Sequence, residues 1–224
     1  MRFLLSLAVL LALAPTVPAQ KTVSFPTEDG GLVYADLYGK GSSGVVLAHG
    51  GQFNKESWKK QADFLANAGF HVLAIDFRGY GKSRGPGQSD PLSAPLYFDV
   101  LAAVRYLRKS GAKTVSVVGA SMGGWAAADA AINSEPGEIT RLVFLGSSPT
   151  GSAEKIKAPS LFIVARDDTS GDGPRLPGIR AQYDKTPEPK QLIILDGSAH
   201  AQFLFQTDQG DRVMRDILRF LSAK

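Results

Sequence analysis

Cysteine is absent from all 224 residues. Its absence excludes disulfides, thiolate zinc sites, a thiol nucleophile and a lipidated cysteine near the N-terminus. Histidine is nearly absent as well, with only His49, His71 and His200 present. A histidine metal centre would need nearly all three, so neither a metal nor a cofactor is expected. Excess charge is also small: 25 Lys and Arg against 21 Asp and Glu leave +4, with no cationic cluster. That balance excludes a nucleic-acid footprint and fits at most weak contact with an anionic cell surface. Glycine (24) and proline (13) make up about one residue in six, short of the ~25–30% of low-complexity chains. What remains has an ordinary globular composition, 44% hydrophobic and 21% charged, enough for one or at most two domains.

The longest apolar run lies at the N-terminus. Arg2 precedes the apolar residues 3–14, and Val17-Pro18-Ala19 supplies small residues for a cut. This is the layout of a secretory signal peptide. A membrane anchor is the competing reading, but twelve apolar residues fall short of the ~20 a spanning helix needs. Pro15 and Pro18 stop the run. Residues 1–19 are therefore expected to be removed after Ala19, leaving residues 20–224 as a single domain without a membrane span. The expected location is exported, either periplasmic or secreted. Oligomeric state is left open.

Past residue 20, short apolar runs alternate with amphipathic stretches. Residues 45–48, 71–75, 114–118, 142–145, 161–164 and 192–195 read as buried strands bounded by Gly, Asp or Ser. Helical patterns cover residues 56–67, 94–109, 122–133 and 211–222. Residues 22–25 and 32–38 read as a hairpin turned by Glu28-Asp29-Gly30-Gly31. The expected fold is α/β: an eight-stranded, mostly parallel sheet with helices on both faces.

Ligands of such sheets bind beyond the carboxyl ends of the strands. The residues expected there are His49-Gly50-Gly51, Asp76-Phe77-Arg78-Gly79, Gly119-Ala120-Ser121-Met122-Gly123, Gly146-Ser147-Ser148-Pro149, Arg166-Asp167-Asp168 and Gly197-Ser198-Ala199-His200. G-x-S-x-G between a strand and a helix is the pattern of a strained turn that lifts a serine hydroxyl above the sheet. A bare match is weak; the strand-turn-helix context strengthens it. The bland alternative is a glycine-rich turn with an incidental serine.

A serine hydroxyl needs a base, and His200 is the only histidine after Ser121. His71 opens a strand at the opposite edge and is expected to be structural. His49 is expected to hold its own loop by hydrogen bonding. The acid that orients the base is expected to be Asp168, with Asp167 as the alternative. Two N–H donors should face the developing oxyanion: Met122, and Gly51 ahead of Gln52. Phe53 and Phe203 are candidates to line an acyl pocket, although aromatic residues at such places also serve as core.

In this order the parts resemble the α/β-hydrolase fold superfamily, in particular its small serine hydrolases. The resemblance rests on His49-Gly50-Gly51, Asp76-Phe77-Arg78-Gly79-Tyr80-Gly81-Lys82-Ser83, Gly119 to Gly123, Asp168 and His200, which span nearly the whole chain after residue 20. It implies an acyl-enzyme mechanism in which Ser121 attacks, His200 carries the proton and Asp168 holds His200. It also implies that residues 76–83 form a structural rim, so catalysis is not carried onto Asp76. Members with an aspartate nucleophile act on halides or epoxides, which Ser121 argues against, and dienelactone-type members usually carry cysteine there. Many members insert a helical cap after the strand matching residues 142–145. The thirteen residues 146–158 are too few for one, so no cap domain is expected and the cleft should be open.

The expected function is a carboxylesterase-like serine hydrolase acting on a small-molecule ester. A peptidase or amidase with the same triad is an alternative, as is a non-catalytic binding protein on the same fold. An ester-against-amide panel separates the first two. Turnover lost in Ser121→Ala with binding retained separates catalysis from binding.

Overall fold

The computed structural model describes residues 20–91 and 93–223. The expected leader, residues 1–19, lies outside the described residues. In chain order the strands are β1 (Lys21–Pro26), β2 (Leu32–Tyr38), β3 (Ser43–Ala48), β4 (His71–Ile75), β5 (Thr114–Ala120), β6 (Leu142–Leu145), β7 (Ser160–Ala165), β8 (Thr169–Ser170), β9 (Gly173–Pro174) and β10 (Lys190–Leu195). The helices are α1 (Lys59–Asn67), α2 (Tyr97–Lys109), α3 (Met122–Asn133), α4 (Arg175–Lys185) and α5 (Gly210–Leu221).

Eight strands form one sheet in the order β1-β2-β4-β3-β5-β6-β7-β10, as expected from the alternating pattern. β2 pairs antiparallel with β1 and with β4, and every pairing from β4 to β10 is parallel. The parallel strands are apolar at successive positions because both of their faces are covered. Along β3, Val46 and Ala48 join the core under α2 and α3, whereas Val45 and Leu47 join the core under α1 and α5. The amphipathic α5 buries Val213, Met214, Ile217, Phe220 and Leu221 on its sheet-facing stripe.

Three local details differ from the sequence pattern. The segment expected as a helix from residue 56 opens as a tight turn, Lys55–Trp58, capped by Asn54, before α1 begins. The helix expected from residue 94 begins at Tyr97, because Pro95 disfavours a helical conformation at Ala94. The sequence pattern announces neither α4 nor the β8–β9 hairpin. Pro177 and Gly178 weaken the helical pattern of α4, yet Pro177 lies in the first turn, where its missing N–H costs nothing.

Between β6 and β7 there is one short turn of helix, Ala153–Lys155, and no cap. No helix among the described residues is long and apolar enough to cross a membrane.

Candidate active site

Ser121 sits between β5 and α3 with φ 49° and ψ −115°, a left-handed backbone that L side chains rarely adopt. Its own N–H donates to the Leu145 carbonyl at 3.0 Å, and its carbonyl accepts the Gly124 N–H at 2.9 Å. The Ser147 hydroxyl donates to the same carbonyl at 2.8 Å. The flanking glycines are required by close approach. A Cβ on Gly123 would stand 2.2 Å from the Ala48 carbonyl oxygen, and one on Gly119 would stand 2.3 Å from that of Gly123. Both distances are far inside contact range, so α3 meets the sheet here only without side chains.

His200 follows β10 and points its ring back at the elbow. Nε2 lies 2.9 Å from Ser121 Oγ, and Nδ1 lies 2.8 Å from Asp168 Oδ2. An ionised carboxylate can only accept, so Nδ1 carries the proton, leaving Nε2 to accept from the hydroxyl. Asp168 is fully buried. Its second oxygen, Oδ1, faces Arg175 Nε at 3.3 Å, a charge contact without hydrogen-bond geometry. Arg175 also donates its backbone N–H to the Asp168 carbonyl at 2.9 Å, which fixes the start of α4 against the acid. Asp167 and Asp172 are exposed and take no part in this chain of contacts.

The loop after β3 is held from three directions. The buried His49 ring accepts the Phe77 N–H on Nε2 at 3.3 Å, which leaves its Nδ1–H to donate to the Gly50 carbonyl at 2.8 Å. Burial disfavours the charged ring, so the His49 pKa is lowered and the imidazole stays neutral. Gln202 accepts the Gly50 N–H at 2.8 Å, and Tyr80 donates its hydroxyl to the Gly51 carbonyl at 2.9 Å. With the Gly50 carbonyl pinned, the planar trans peptide turns the Gly51 N–H to the opposite side. Among the described residues, neither the Gly51 N–H nor the Met122 N–H, at the first turn of α3, meets an acceptor. Gln52, the second choice for a donor, is exposed beside Gly51.

Phe53 and Phe203 stack at a tilt with ring centroids 5.0 Å apart. Their backbone N–H groups donate to the Gly50 and His200 carbonyls, so each ring stands three residues from an element of the site. Residues 76–83 form a packed rim. Fully buried Arg78 bonds Asp99 through Nε and Nη2, at 3.0 and 2.7 Å from Oδ1, and reaches Asp29. Asp76 accepts the Lys55 N–H at 2.8 Å. His71 is buried at the start of β4, away from these groups.

Sequence reasoning missed Gln202, Ser147 and Arg175. Each acts on a partner distant in sequence or in an element that was not read, and a lone Gln, Ser or Arg has no pattern that announces such a contact. The assembled groups, a hydroxyl on a neutral imidazole, a buried carboxylate behind it and two free N–H groups, are what acyl transfer to water requires.

The comparisons agree with the fold. A non-heme chloroperoxidase of Streptomyces lividans is 28% identical over 148 residues, covering 66% of this chain and 48% of the relative. A 2-hydroxy-6-oxononadienedioate/2-hydroxy-6-oxononatrienedioate hydrolase of Paraburkholderia phymatum is 30% identical over 175 residues, covering 75% of this chain and 56% of the relative. The chain thus spans about half the length of the curated relatives it matches. Among solved structures, an esterase from Exiguobacterium antarcticum superposes with a TM-score of 0.74 at 15% identity, covering 91% of this chain and all of that one. The sequence profile of the alpha/beta hydrolase fold matches residues 45–216, and the chain belongs to that family.

Proposed function

We propose that this chain is a serine hydrolase that cleaves small carboxylic esters through an acyl-enzyme. The observation that carries the reading is the 2.9 Å contact of His200 Nε2 with Ser121 Oγ, backed by buried Asp168. Ser121 Oγ attacks the ester carbonyl while its proton passes to Nε2. The Met122 and Gly51 N–H groups receive the oxyanion, and Asp168 stabilises the imidazolium that forms. Collapse expels the alcohol, which takes the proton from His200. Water, with His200 as base, then attacks acyl-Ser121 and releases the acid.

The short connection between β6 and β7 leaves the cleft uncapped, which favours short acyl groups or exposed esters. Phe53 and Phe203 form an apolar lip for the substrate. The hydrolase and esterase names among the relatives and neighbours support hydrolysis. The N-terminal pattern of residues 1–19 supports export, which N-terminal sequencing of the protein from each cell fraction tests.

The direct test is intact mass after reaction with a fluorophosphonate, with Ser121→Ala as control. One adduct on the natural protein and none on the variant is expected. No adduct on folded protein would sink the reading. An ester-against-amide panel then decides the bond cleaved.

A further inference from the structure

One cavity begins at Met122, the residue after the nucleophile, and runs along α3. It encloses about 300 Å³. Met122, Trp125 and Asp129 of α3 line it, together with Pro91, Leu96 and Thr150. The spacing i, i+3, i+7 puts the first three on a single helix face. Asp129 is the one charged side chain among the described lining residues, and none of them is a cation. Its carboxylate has no hydrogen bond or ion pair among the described residues, and its half-burial pushes the carboxyl pKa up. By contrast, the well-buried carboxylates Asp99 and Asp168 each face an arginine.

An acid half-buried without a protein partner, in a cavity that also reaches the residue beside the reacting serine, leaves room for a cationic group that would offset its lost solvation. Trp125 lines the same cavity, and an indole is a side chain near which an ammonium is favoured. Seven residues of helix separate Met122 from Asp129, a rise of about 10 Å. An extended chain advances ~1.2 Å per bond, so this distance is about eight bonds.

We propose that this cavity is a specificity subsite for a primary ammonium group carried about eight bonds from the scissile carbonyl, with Asp129 as its counter-ion. The proposal rests on the ester-hydrolase reading for its kinetic consequence, whereas ammonium binding itself does not depend on it.

The experiment has two arms. In the first, kcat/KM is measured for p-nitrophenyl ω-aminooctanoate and for its neutral isostere, p-nitrophenyl nonanoate. The pair 6-aminohexyl acetate and heptyl acetate, which sets the ammonium at the same eight bonds, probes the leaving-group side. The natural protein should favour the ammonium member of one pair by on the order of tenfold to a hundredfold, the range of a charge-assisted hydrogen bond. Asp129→Asn and Asp129→Ser should collapse that ratio, with thermal melts confirming that each variant is folded. An equal ratio in natural and variant proteins would overturn the subsite. In the second arm, octylammonium binding is measured by calorimetry on Ser121→Ala with and without Asp129→Asn. A Kd raised about tenfold or more supports the subsite even if no ester is turned over, an outcome that would sink the hydrolase reading alone. Equal Kd values, or no binding to either protein, would overturn the subsite.

Discussion

Gln202 accepts the Gly50 N–H at 2.8 Å, joining the loop that carries His200 to the loop that carries Gly51. Its amide nitrogen donates at 2.8 Å to Ser57 Oγ, so both ends of a buried side chain are engaged. The bond spans 152 positions of sequence and sets how Gly51 sits relative to His200.

Gln202→Leu should leave the buried Gly50 N–H without an acceptor. The cost is about 1–3 kcal/mol of stability, read by urea unfolding. If the Gly51 N–H receives the oxyanion as proposed, displacing it should also lower kcat about tenfold or more, with a smaller change in KM. A variant with unchanged kcat would show that Gln202 serves stability alone.

The two adjacent aspartates should separate sharply. Asp168→Asn keeps the shape but favours the wrong imidazole tautomer, and turnover should fall roughly 10⁴-fold. Asp167→Asn, on an exposed side chain, should stay within about twofold. Steady-state rates on one chromogenic ester decide this, and a larger loss in the Asp167 variant would reverse the assignment of the acid.

Arg78 and Asp99 are both fully buried and bonded at 2.7 Å. Removing one partner strands the other charge in the interior. Asp99→Leu should therefore cost about 3–5 kcal/mol in denaturant unfolding. An effect below about 1 kcal/mol would mean that Asp29 alone satisfies the guanidinium.

Acid should weaken the fold through its buried histidines. Burial lowers the folded pKa of His49, and that of His71, below the ordinary 6.5. Below that pH the unfolded chain takes up protons that the folded chain refuses, so stability falls as pH drops from 6.5 toward the folded values. Each such group contributes up to ~1.4 kcal/mol per pH unit in that window. His49→Asn should be less stable near neutrality, having lost two ring contacts. Its Tm should nevertheless fall less between about pH 7 and pH 5, His71 supplying the remaining slope. An unchanged slope would place the protonation elsewhere.

Much of this architecture was legible locally. The apolar runs at residues 45–48, 114–118 and 142–145, bounded by Gly, Asp or Ser, read as strands covered on both sides, and β3, β5 and β6 fall on them. Gly119 and Gly123 around Ser121 announced a turn where backbone meets backbone. The order Ser121, Asp168, His200 was readable because each residue ends a strand on the same edge, and parallel strands bring those ends together.

Other features depended on pairings far apart in sequence. Asp167 and Asp168 are chemically identical neighbours, and only the turn after β7 decides which carboxylate faces His200. Arg175 reached the acid through a helix whose Pro177 and Gly178 hid its pattern. Gln202 and Asp129 look like any polar residue on a loop or helix until their surroundings are known. Local periodicity and turn chemistry set the elements and the strained serine, because they depend on steric and solvation preferences within a few residues. Which polar groups find partners, and which are left without, is settled only when the sheet edge and its loops close around them. Burial and charge pairing are properties of that enclosure and not of any short stretch of chain.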